Sequence, residues 1–283
     1  MIEALVTGSK GFIGRALVGR LRESGCSVLA AGRDEGDVAL SATWDALPPA
    51  RYVFHLAARS YVPDSWQDPA GFMHTNVTGT QRALDYCRRH GARLVFASAY
   101  LYGIPARLPI AESDAVHPNN PYALSKHLAE QLCAFHAAQF GTPVTVIRPF
   151  NVYGPGQREE FLIPHIIRQV RAGQEIRLQD LAPKRDYVYV ADVAEAFVQS
   201  MQLAAGHHVV NIGSGASYSV LELVRMIQQA AGTDLPVVSA ASPRQQEIPD
   251  VRADISRAAE LLGWTPRHAL AEGIAKLLRE HSP

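Results

Sequence analysis

Tyr122 and Lys126 stand four residues apart in the stretch PYALSKHLAEQL, residues 121–132, and together they could transfer a proton. Four residues are about one helical turn, so both side chains rise from the same face of a helix. A tyrosine phenol has an unperturbed pKa of about 10, and a neighbouring ammonium group lowers that pKa by favouring the phenolate. The spacing alone also fits two ordinary residues on a solvated helix, so the rest of the chain must decide.

A glycine-rich loop near the start of the chain is a second candidate site. In TGSKGFIGRALVGRL, Gly8, Gly11 and Gly14 separate a strand-like run from a helix-like segment. This context suits a dinucleotide pyrophosphate, because glycines allow a tight turn and a close approach of the backbone to a phosphate at a helix N-terminus. The spacing is GxxGxxG, and the alternative is a turn that is glycine-rich for structural reasons only.

The end of the second strand-like run bears on which cofactor would bind. Many NAD-binding chains carry an acid there for the ribose 2′-hydroxyl, whereas an arginine accommodates the 2′-phosphate of NADP. Here the run ends in AAGRD, so Gly32 takes the acid's position, Arg33 follows it, and Lys10 could add a second positive charge. We therefore favour NADP(H). The alternative, NAD(H), holds if Arg33 is a solvated loop residue and Asp34 takes the acid's role.

The elements that must position these residues alternate between strand and helix. Strand-like runs occupy 3–8, 27–32, 52–58, 93–99, 144–150 and 208–214, and helix-like segments occupy 12–24, 70–90 and 121–140. Such alternation predicts an α/β fold, a Rossmann-type doubly wound parallel sheet built by right-handed crossovers.

The texture of the chain changes after about residue 151. Proline and glycine become denser, and helices are expected at about 160–172, 190–204, 219–231 and 254–262. We predict an NAD(P)-binding Rossmann domain over 1–150, to which part of 186–214 returns. Residues 151–283 then form mostly a small C-terminal substrate-binding lobe, with the ligand in the cleft between the two.

Composition excludes several classes of function. The 283 residues carry a formal net charge of zero, which gives no drive toward nucleic acid, and no apolar run approaches the length of a membrane span. The N-terminal sequence enters strand-like residues without the regions of a signal peptide, so we expect a cytoplasmic protein. Cys26, Cys87 and Cys133 are scattered and form no CxxC pair, and no histidine spacing suits a metal, so we predict reduced thiols and no metal site.

Taken together, the motifs resemble a known family. TGSKGFIG, HLAA at 55–58, Asn76 in NVTGT, the serine of FASAYLYG, YALSK and RPFNVYGPGQ occur in order. This set resembles the extended short-chain dehydrogenase/reductase family, specifically its nucleotide-sugar epimerase/dehydratase branch, over nearly the whole chain. The resemblance implies that Tyr122 and Lys126 are the catalytic pair and that Ser98 hydrogen-bonds the same substrate oxygen. It also implies a nucleotide-diphosphate sugar as the substrate.

The resemblance implies binding residues as well. The cofactor would contact a set of loop and strand-end residues: Gly8, Lys10, Gly11, Phe12, Ile13, Gly14, Arg33, Asp37, Val38, Leu56, Ala57, Ala58, Tyr122, Lys126 and Pro149. Asp37 and Val38 would lie at the adenine, although the segment 34–51 is shorter than the family usually has. The substrate would contact Ser98 as well as Asn151, Arg185 and Arg244. The last three would hold the diphosphate, for which the planar fork of arginine is suited.

The residues after Ser98 discriminate between reactions. Related 4,6-dehydratases place carboxylates there, whereas this chain has Ala99 and Tyr100, which disfavours elimination. The NADP preference favours reduction of an NDP-4-keto-(6-deoxy)hexose at C4, and the alternative is an NAD-dependent 4-epimerase. A non-catalytic NADP-binding sensor is less favoured because Ser98, Tyr122 and Lys126 are all present. Tyr100 is either a second acid–base group or an aromatic wall of the sugar pocket.

Assembly is expected from the resemblance rather than from pattern. Relatives dimerise through the helices that correspond to 70–90 and 121–140, which predicts a homodimer. Leu124, Leu128 and Leu132 recur at helical spacing on the second of these, although such a stripe more often belongs to the core of one chain than to an interface.

Overall fold

Short extended segments recur along the computed structural model, which describes residues 2–240 and 247–280. The strands within those ranges are β1 (Ile2–Thr7), β2 (Val28–Ala31), β3 (Ala50–His55), β4 (Arg93–Ala97), β5 (Val144–Pro149), β6 (Asn151–Tyr153), β7 (Ile176–Leu178), β8 (Lys184–Arg185), β9 (Tyr187–Tyr189), β10 (His207–Ile212), β11 (Tyr218–Ser219) and β12 (Val237–Ser239).

Helices connect most of these strands. They are α1 (Phe12–Glu23), α2 (Ser41–Asp45), α3 (Val62–Gln67), α4 (Pro69–Met73), α5 (Gly79–His90), α6 (Pro121–Phe140), α7 (Leu162–Ala172), α8 (Val190–Gln199), α9 (Val220–Ala231), α10 (Ser256–Leu262) and α11 (Leu270–Glu280). None of the helices in the described ranges has the length and apolar character needed to cross a bilayer.

Six parallel strands form the central sheet in the order β10-β5-β4-β3-β1-β2. The chain moves outward from β1 in one direction through β2 and in the other through β3, β4, β5 and β10. The carboxyl ends of β1 and its neighbours therefore flank a topological switch point, which is where open α/β sheets bind ligands. The doubly wound Rossmann-type fold expected from the sequence is confirmed.

Helices cover both faces of this sheet. On one face α1 and α8 pack together with α10, and their apolar residues include Leu17, Phe197 and Leu262. On the other face α2, α5 and α6 bury Trp44, Leu84 and Cys133 against the strands. Both faces of the strands are covered, which explains why they read as nearly continuous apolar runs.

Helices α7, α9 and α11 pack around a core of their own. Ile166 of α7, Leu223 of α9 and Ile274 of α11 belong to one apolar cluster. The short pairs β7 with β12 and β8 with β11 border this cluster. A separate group of buried residues, which includes Tyr102, Phe150 and Val251, packs segments from both parts of the chain together.

Several boundaries differ from the sequence expectation. The helix expected over 70–90 is α4, a π-helical stretch His74–Thr78 and α5 in one continuous run. The strand expected over 52–58 ends at His55, and the helix over 190–204 ends at Gln199 before a short 3-10 turn. Sequence reasoning missed α2, α3 and α11. For α11 a signal was present, because Leu270, Ile274 and Leu277 recur at helical spacing.

Candidate active site

The glycine loop lies at the carboxyl end of β1. Gly8 has a φ of +68°, which glycine adopts without steric cost, and a Cβ there would lie 2.7 Å from the backbone nitrogen of Ala57. A Cβ at Gly14 would lie 2.2 Å from the carbonyl oxygen of Gly8. The loop thus packs tightly on itself and against the end of β3. Helix α1 begins at Phe12 with no side-chain cap, so its first-turn N–H groups, including that of Ile13, suit a phosphate.

The carboxyl end of β2 carries charges of both signs. Arg33 is exposed in the turn that follows Gly32. Lys10 forms an ion pair with Asp34, and the Glu35 carboxylate accepts a hydrogen bond from the backbone N–H of Gly32 at 2.5 Å. Arg33 and Lys10, the two cations expected near a 2′-phosphate, therefore border this position, and so do the carboxylates of Asp34 and Glu35.

The short segment that follows folds around a buried tryptophan. Trp44 is 1% exposed, and its Nε1 donates to the carbonyl oxygen of Val38 at 2.7 Å. Asp37 accepts a hydrogen bond from the N–H of Ala39 at 2.9 Å and lies 3.9 Å from Nε2 of His74. These contacts give Asp37 and Val38 defined positions, and their contact with an adenine stays a prediction.

Residues Leu56, Ala57 and Ala58 continue from β3 beside the glycine loop. The N–H of Leu56 donates to the carbonyl oxygen of Thr7 at 3.2 Å, and the N–H of Ala57 donates to its hydroxyl at 3.3 Å. That hydroxyl also lies 2.8 Å from Nδ1 of His55. Burial, assisted by the charge of Lys126, lowers the pKa of His55 to about 3, so the ring is neutral and acts as a packed strand residue.

Helix α6 positions Tyr122 and Lys126. It begins at Pro121, and the Asn120 side chain caps it by accepting from the N–H of Ala123 at 2.8 Å. Lys126 is 3% exposed, and its Nζ donates to the carbonyl oxygen of Ala97 at 2.5 Å. Burial lowers the pKa of Lys126 to about 8.

Burial raises the pKa of Tyr122 to about 12, so the phenol of the polypeptide itself is protonated near neutrality. In a complex with oxidised cofactor, the positive charge of the nicotinamide would add to that of Lys126, and the lowering of the Tyr122 pKa expected from the sequence depends on both charges. It therefore remains a prediction for the complex.

Ser98 lies next to the anchor point of Lys126. Its N–H donates to the carbonyl oxygen of Ile147 at 2.8 Å, which continues the β4–β5 ladder. The side chain is buried, and its Oγ has no hydrogen-bond partner among the described residues. Because Lys126 bonds to Ala97, the structure brings Ser98 and the α6 pair to the same edge of the sheet. A buried hydroxyl without a partner is costly unless a ligand oxygen supplies one.

Asn76 supports this arrangement, although sequence reasoning gave it no role beyond the motif. It lies in the π-helical stretch, and its Nδ2 donates to Oγ of Ser125 at 2.8 Å and to the carbonyl oxygen of Arg59 at 3.0 Å. Ser125 Oγ in turn donates to the carbonyl oxygen of Tyr122 at 2.7 Å. The buried amide therefore fixes the first turn of α6 against the loop after β3.

The Tyr100 hydroxyl is already engaged within the protein. That hydroxyl donates to the carbonyl oxygen of Gly103, and burial raises the pKa of the phenol. The ring packs edge-on against Tyr102 and Phe150, with centroid distances of 5.6 Å and 5.4 Å. These contacts favour the aromatic-wall interpretation over proton transfer.

The substrate-side residues fall into three situations. The Asn151 amide donates to the carbonyl oxygen of Asp186 at 3.1 Å. Arg185 is paired with the Glu247 carboxylate and donates to the carbonyl oxygen of Ile248 at 2.7 Å. Pro149, which was expected to contact the cofactor, is buried at the end of β5, two residues before Asn151. Arg244 lies outside the described residues.

The described residues contain no group of side chains suited to bind a metal ion. Within 2–240 and 247–280, no three His, Cys, Asp or Glu side chains are grouped so that they could hold an ion. The three cysteines are free thiols.

Comparison with known proteins assigns the chain to a family. The model of the NAD dependent epimerase/dehydratase family matches residues 4–213. The chain belongs to this family. Its members of extended short-chain dehydrogenase/reductase type include NAD(P)-dependent nucleotide-sugar epimerases and reductases, so this family member is an enzyme of that kind, as expected from the sequence.

Individual relatives of this family member carry out different reactions. It is 32% identical to the GDP-6-deoxy-D-mannose reductase of Pseudomonas aeruginosa, over 97% of this chain and 95% of that one. It is 34% identical to the UDP-glucose 4-epimerase of Mycolicibacterium smegmatis, over 97% of each. A solved structure of RMD from Pseudomonas aeruginosa complexed with NADPH superposes with a TM-score of 0.91 at 30% identity, covering 99% of this chain and 98% of that one.

Proposed function

We propose that this family member uses NADPH to reduce the C4 ketone of an NDP-4-keto-(6-deoxy)hexose. The observation that carries the proposal is the end of β2, where Gly32 replaces the acid that would bind a 2′-hydroxyl and where Arg33 and Lys10 lie nearby. The relation to a GDP-6-deoxy-D-mannose reductase supports the same reaction.

The residues present fit a nicotinamide dinucleotide. The glycine loop, the uncapped start of α1 and the ends of β1 and β3 form one groove at the switch point of the sheet. Once bound there, a reduced nicotinamide supplies hydride. Because Gly11 and Gly14 have no side chains, the cofactor can approach the backbone of the loop closely. Ala57, Ala58 and Pro149 line the groove.

Three side chains act on the substrate oxygen. Tyr122 is protonated near neutrality and donates its phenolic proton to that oxygen as hydride reaches the carbon. Ser98 supplies a hydrogen bond to the same oxygen, which satisfies its buried hydroxyl. Lys126 remains largely protonated below its pKa of about 8, and its charge stabilises the phenolate that Tyr122 leaves. Asn151, Arg185 and Arg244 hold the diphosphate.

Arg185 must change partner for that role. Its guanidinium is engaged by Glu247, so a diphosphate has to displace or share this carboxylate. The gain is a bidentate phosphate contact in place of an ion pair whose two side chains are about four-fifths buried.

An NAD-dependent 4-epimerase is the second candidate. One observation favours it: the Glu35 carboxylate reaches back to the N–H of Gly32, and Asp34 neutralises Lys10, so acids also border the ribose position. The 34% identity with a UDP-glucose 4-epimerase is equally consistent with it. A 4,6-dehydratase is less favoured, because Ala99 and Tyr100 stand where that reaction needs carboxylates.

We also propose that the enzyme is a cytoplasmic homodimer. Its free thiols fit a reducing compartment. The outer face of α6 exposes Leu124, Leu128 and Phe135, and a groove beside them is lined by Val77, Leu128, Gln131, Leu132, Ala134 and Phe135. A second copy would cover this apolar face. A monomer in light scattering at micromolar concentration would contradict the dimer.

The test of the function begins with cofactor. The purified protein is assayed for retained nicotinamide, and then NADPH and NADH binding are measured on the same preparation. We expect no retained cofactor and NADPH at least about tenfold tighter, or about 1.4 kcal/mol. Retained NAD or a clear NADH preference would overturn the reductase and support the epimerase.

A further inference from the structure

A buried polar network joins α6 to the strand beside it. Arg148 of β5 donates to both carboxylate oxygens of Glu130, from Nε at 2.9 Å and from Nη2 at 2.5 Å. The two side chains are 7% and 6% exposed. Arg148 also donates from Nη1 to the hydroxyl of Tyr102 at 2.8 Å. One guanidinium therefore links α6, β5 and the segment that follows Ser98.

The network continues from Tyr102 to the last strand of the sheet. Its hydroxyl donates to Oδ1 of Asn211 at 2.6 Å, and Nδ2 of Asn211 donates to the carbonyl oxygen of Ile110 at 3.0 Å. The backbone N–H of Asn211 donates to the Glu112 carboxylate at 2.7 Å. The segment from Ser98 to Glu112 is thereby held at several points.

The position of this network relative to the site suggests its purpose. Glu130 lies one turn beyond Lys126 on α6, so the helix is tied to the sheet twice, through Lys126 to Ala97 and through Glu130 to Arg148. Tyr102 lies four residues after Ser98. A buried ion pair pays a large desolvation penalty, and apolar side chains could fill the same space as stably, so stability alone is a weak explanation.

We propose that Arg148, Glu130 and Tyr102 are positioning residues that set the separation between Ser98 and the Tyr122–Lys126 pair for proton transfer. This role rests on the proposed function, because it assumes that Ser98 and Tyr122 address one substrate oxygen. None of the three needs to touch the substrate.

The charges around Lys126 make this role measurable. The Glu130 carboxylate favours the ammonium form of Lys126, while burial opposes it. The titratable or charged groups that interact with Lys126 or Glu130 from the packed elements are His55, Cys133, Arg148 and His207. Replacing Glu130 removes a charge that favours the Lys126 ammonium and also one that opposes a nearby phenolate, and loosening α6 changes the burial of both groups, so the Tyr122 titration midpoint should move.

The experiment compares Tyr102→Phe and Glu130→Gln with Tyr86→Phe. Tyr86 is the control, because it is also a buried tyrosine, and its hydroxyl donates one hydrogen bond outside the network, to the carbonyl oxygen of Pro48 at 2.6 Å. Steady-state kinetics and Tm are measured for each. Tyr122 ionisation is followed near 295 nm in the complex with oxidised cofactor, after subtraction of the same protein carrying Tyr122→Phe.

Both network variants should lose about 10- to 100-fold in kcat, with KM and cofactor Kd within about twofold. Their Tyr122 titration midpoint should shift by at least about half a pH unit from that of the wild type, and Tyr86→Phe should change neither quantity. Unchanged kcat and midpoint in the network variants would overturn the proposal, as would a Tm loss with no other effect. If the wild type binds cofactor but converts no nucleotide sugar, the proposed function fails, and the titration still decides the positioning role.

Discussion

Replacing Gly14 with alanine should disrupt cofactor binding through the backbone rather than through a lost contact. A Cβ at Gly14 would lie 2.2 Å from the carbonyl oxygen of Gly8 and 3.0 Å from Cα of Ser9, roughly 1 Å short of van der Waals contact. Overpacking of this size costs about 1–3 kcal/mol, so the loop should shift to relieve it. Cofactor binding must then restore the original loop, which predicts a Kd about 5- to 140-fold weaker.

Gly19→Ala is the matched control on the same helix. A Cβ there would meet nothing within 4 Å, so cofactor affinity should stay within about twofold of the wild type. Its free energy of unfolding should rise by about 0.5–1 kcal/mol, because alanine suits a helix interior better than glycine. Isothermal titration with NADPH and NADH, together with urea melts, measures both quantities. Equal cofactor affinity in Gly14→Ala and Gly19→Ala would refute the view that loop geometry forms the site.

Three further predictions concern single side chains. Ser98→Ala should lower kcat about 10- to 1000-fold with little change in cofactor Kd, and an unchanged kcat would remove Ser98 from the mechanism. Tyr100→Phe should leave kcat largely intact, whereas a drop of about a hundredfold would support proton transfer by that phenol. Burial lowers the pKa of His55 from 6.5 to about 3, so between these values the unfolded chain binds an extra proton, and the free energy of unfolding decreases as the pH is lowered through that window. His55→Leu should flatten this acid dependence in urea melts, and an unchanged slope would contradict the assigned shift.

The glycine loop and the start of α6 were predictable because their signals are local. Gly8, Gly11 and Gly14 mark the turn, and Pro121 after Asn120 marks the first residue of the helix. Cap residues and tight turns act within a few positions, so the sequence contains both the cause and its effect. The alternation of strands and helices similarly required a parallel sheet.

Partners distant in sequence were not predictable in the same way. Arg185 reads as a phosphate ligand, but the structure pairs it with Glu247, sixty-two residues later. The sequence analysis gave no role to Glu130 or Arg148, and packing buries them against each other. Such pairings depend on tertiary contacts for which hydrophobic periodicity carries no signal.

Tyr100 illustrates an ambiguity of residue type. A tyrosine after Ser98 can serve as an acid–base group or as a wall, and only its contact with Gly103 and the neighbouring rings favours the wall. The π-helical stretch around Asn76 was also hidden, since the sequence there reads as ordinary helix.

The most direct test of the proposed reaction is NADPH oxidation at 340 nm with a GDP-4-keto-6-deoxyhexose, in the wild type and in Tyr122→Phe. We predict one NADPH consumed per sugar reduced, and a rate about 10²- to 10⁴-fold lower in the variant, because the phenolic proton donor is lost. An absence of NADPH consumption, together with interconversion of C4 epimers of a UDP-hexose without added cofactor, would contradict the account and identify an epimerase.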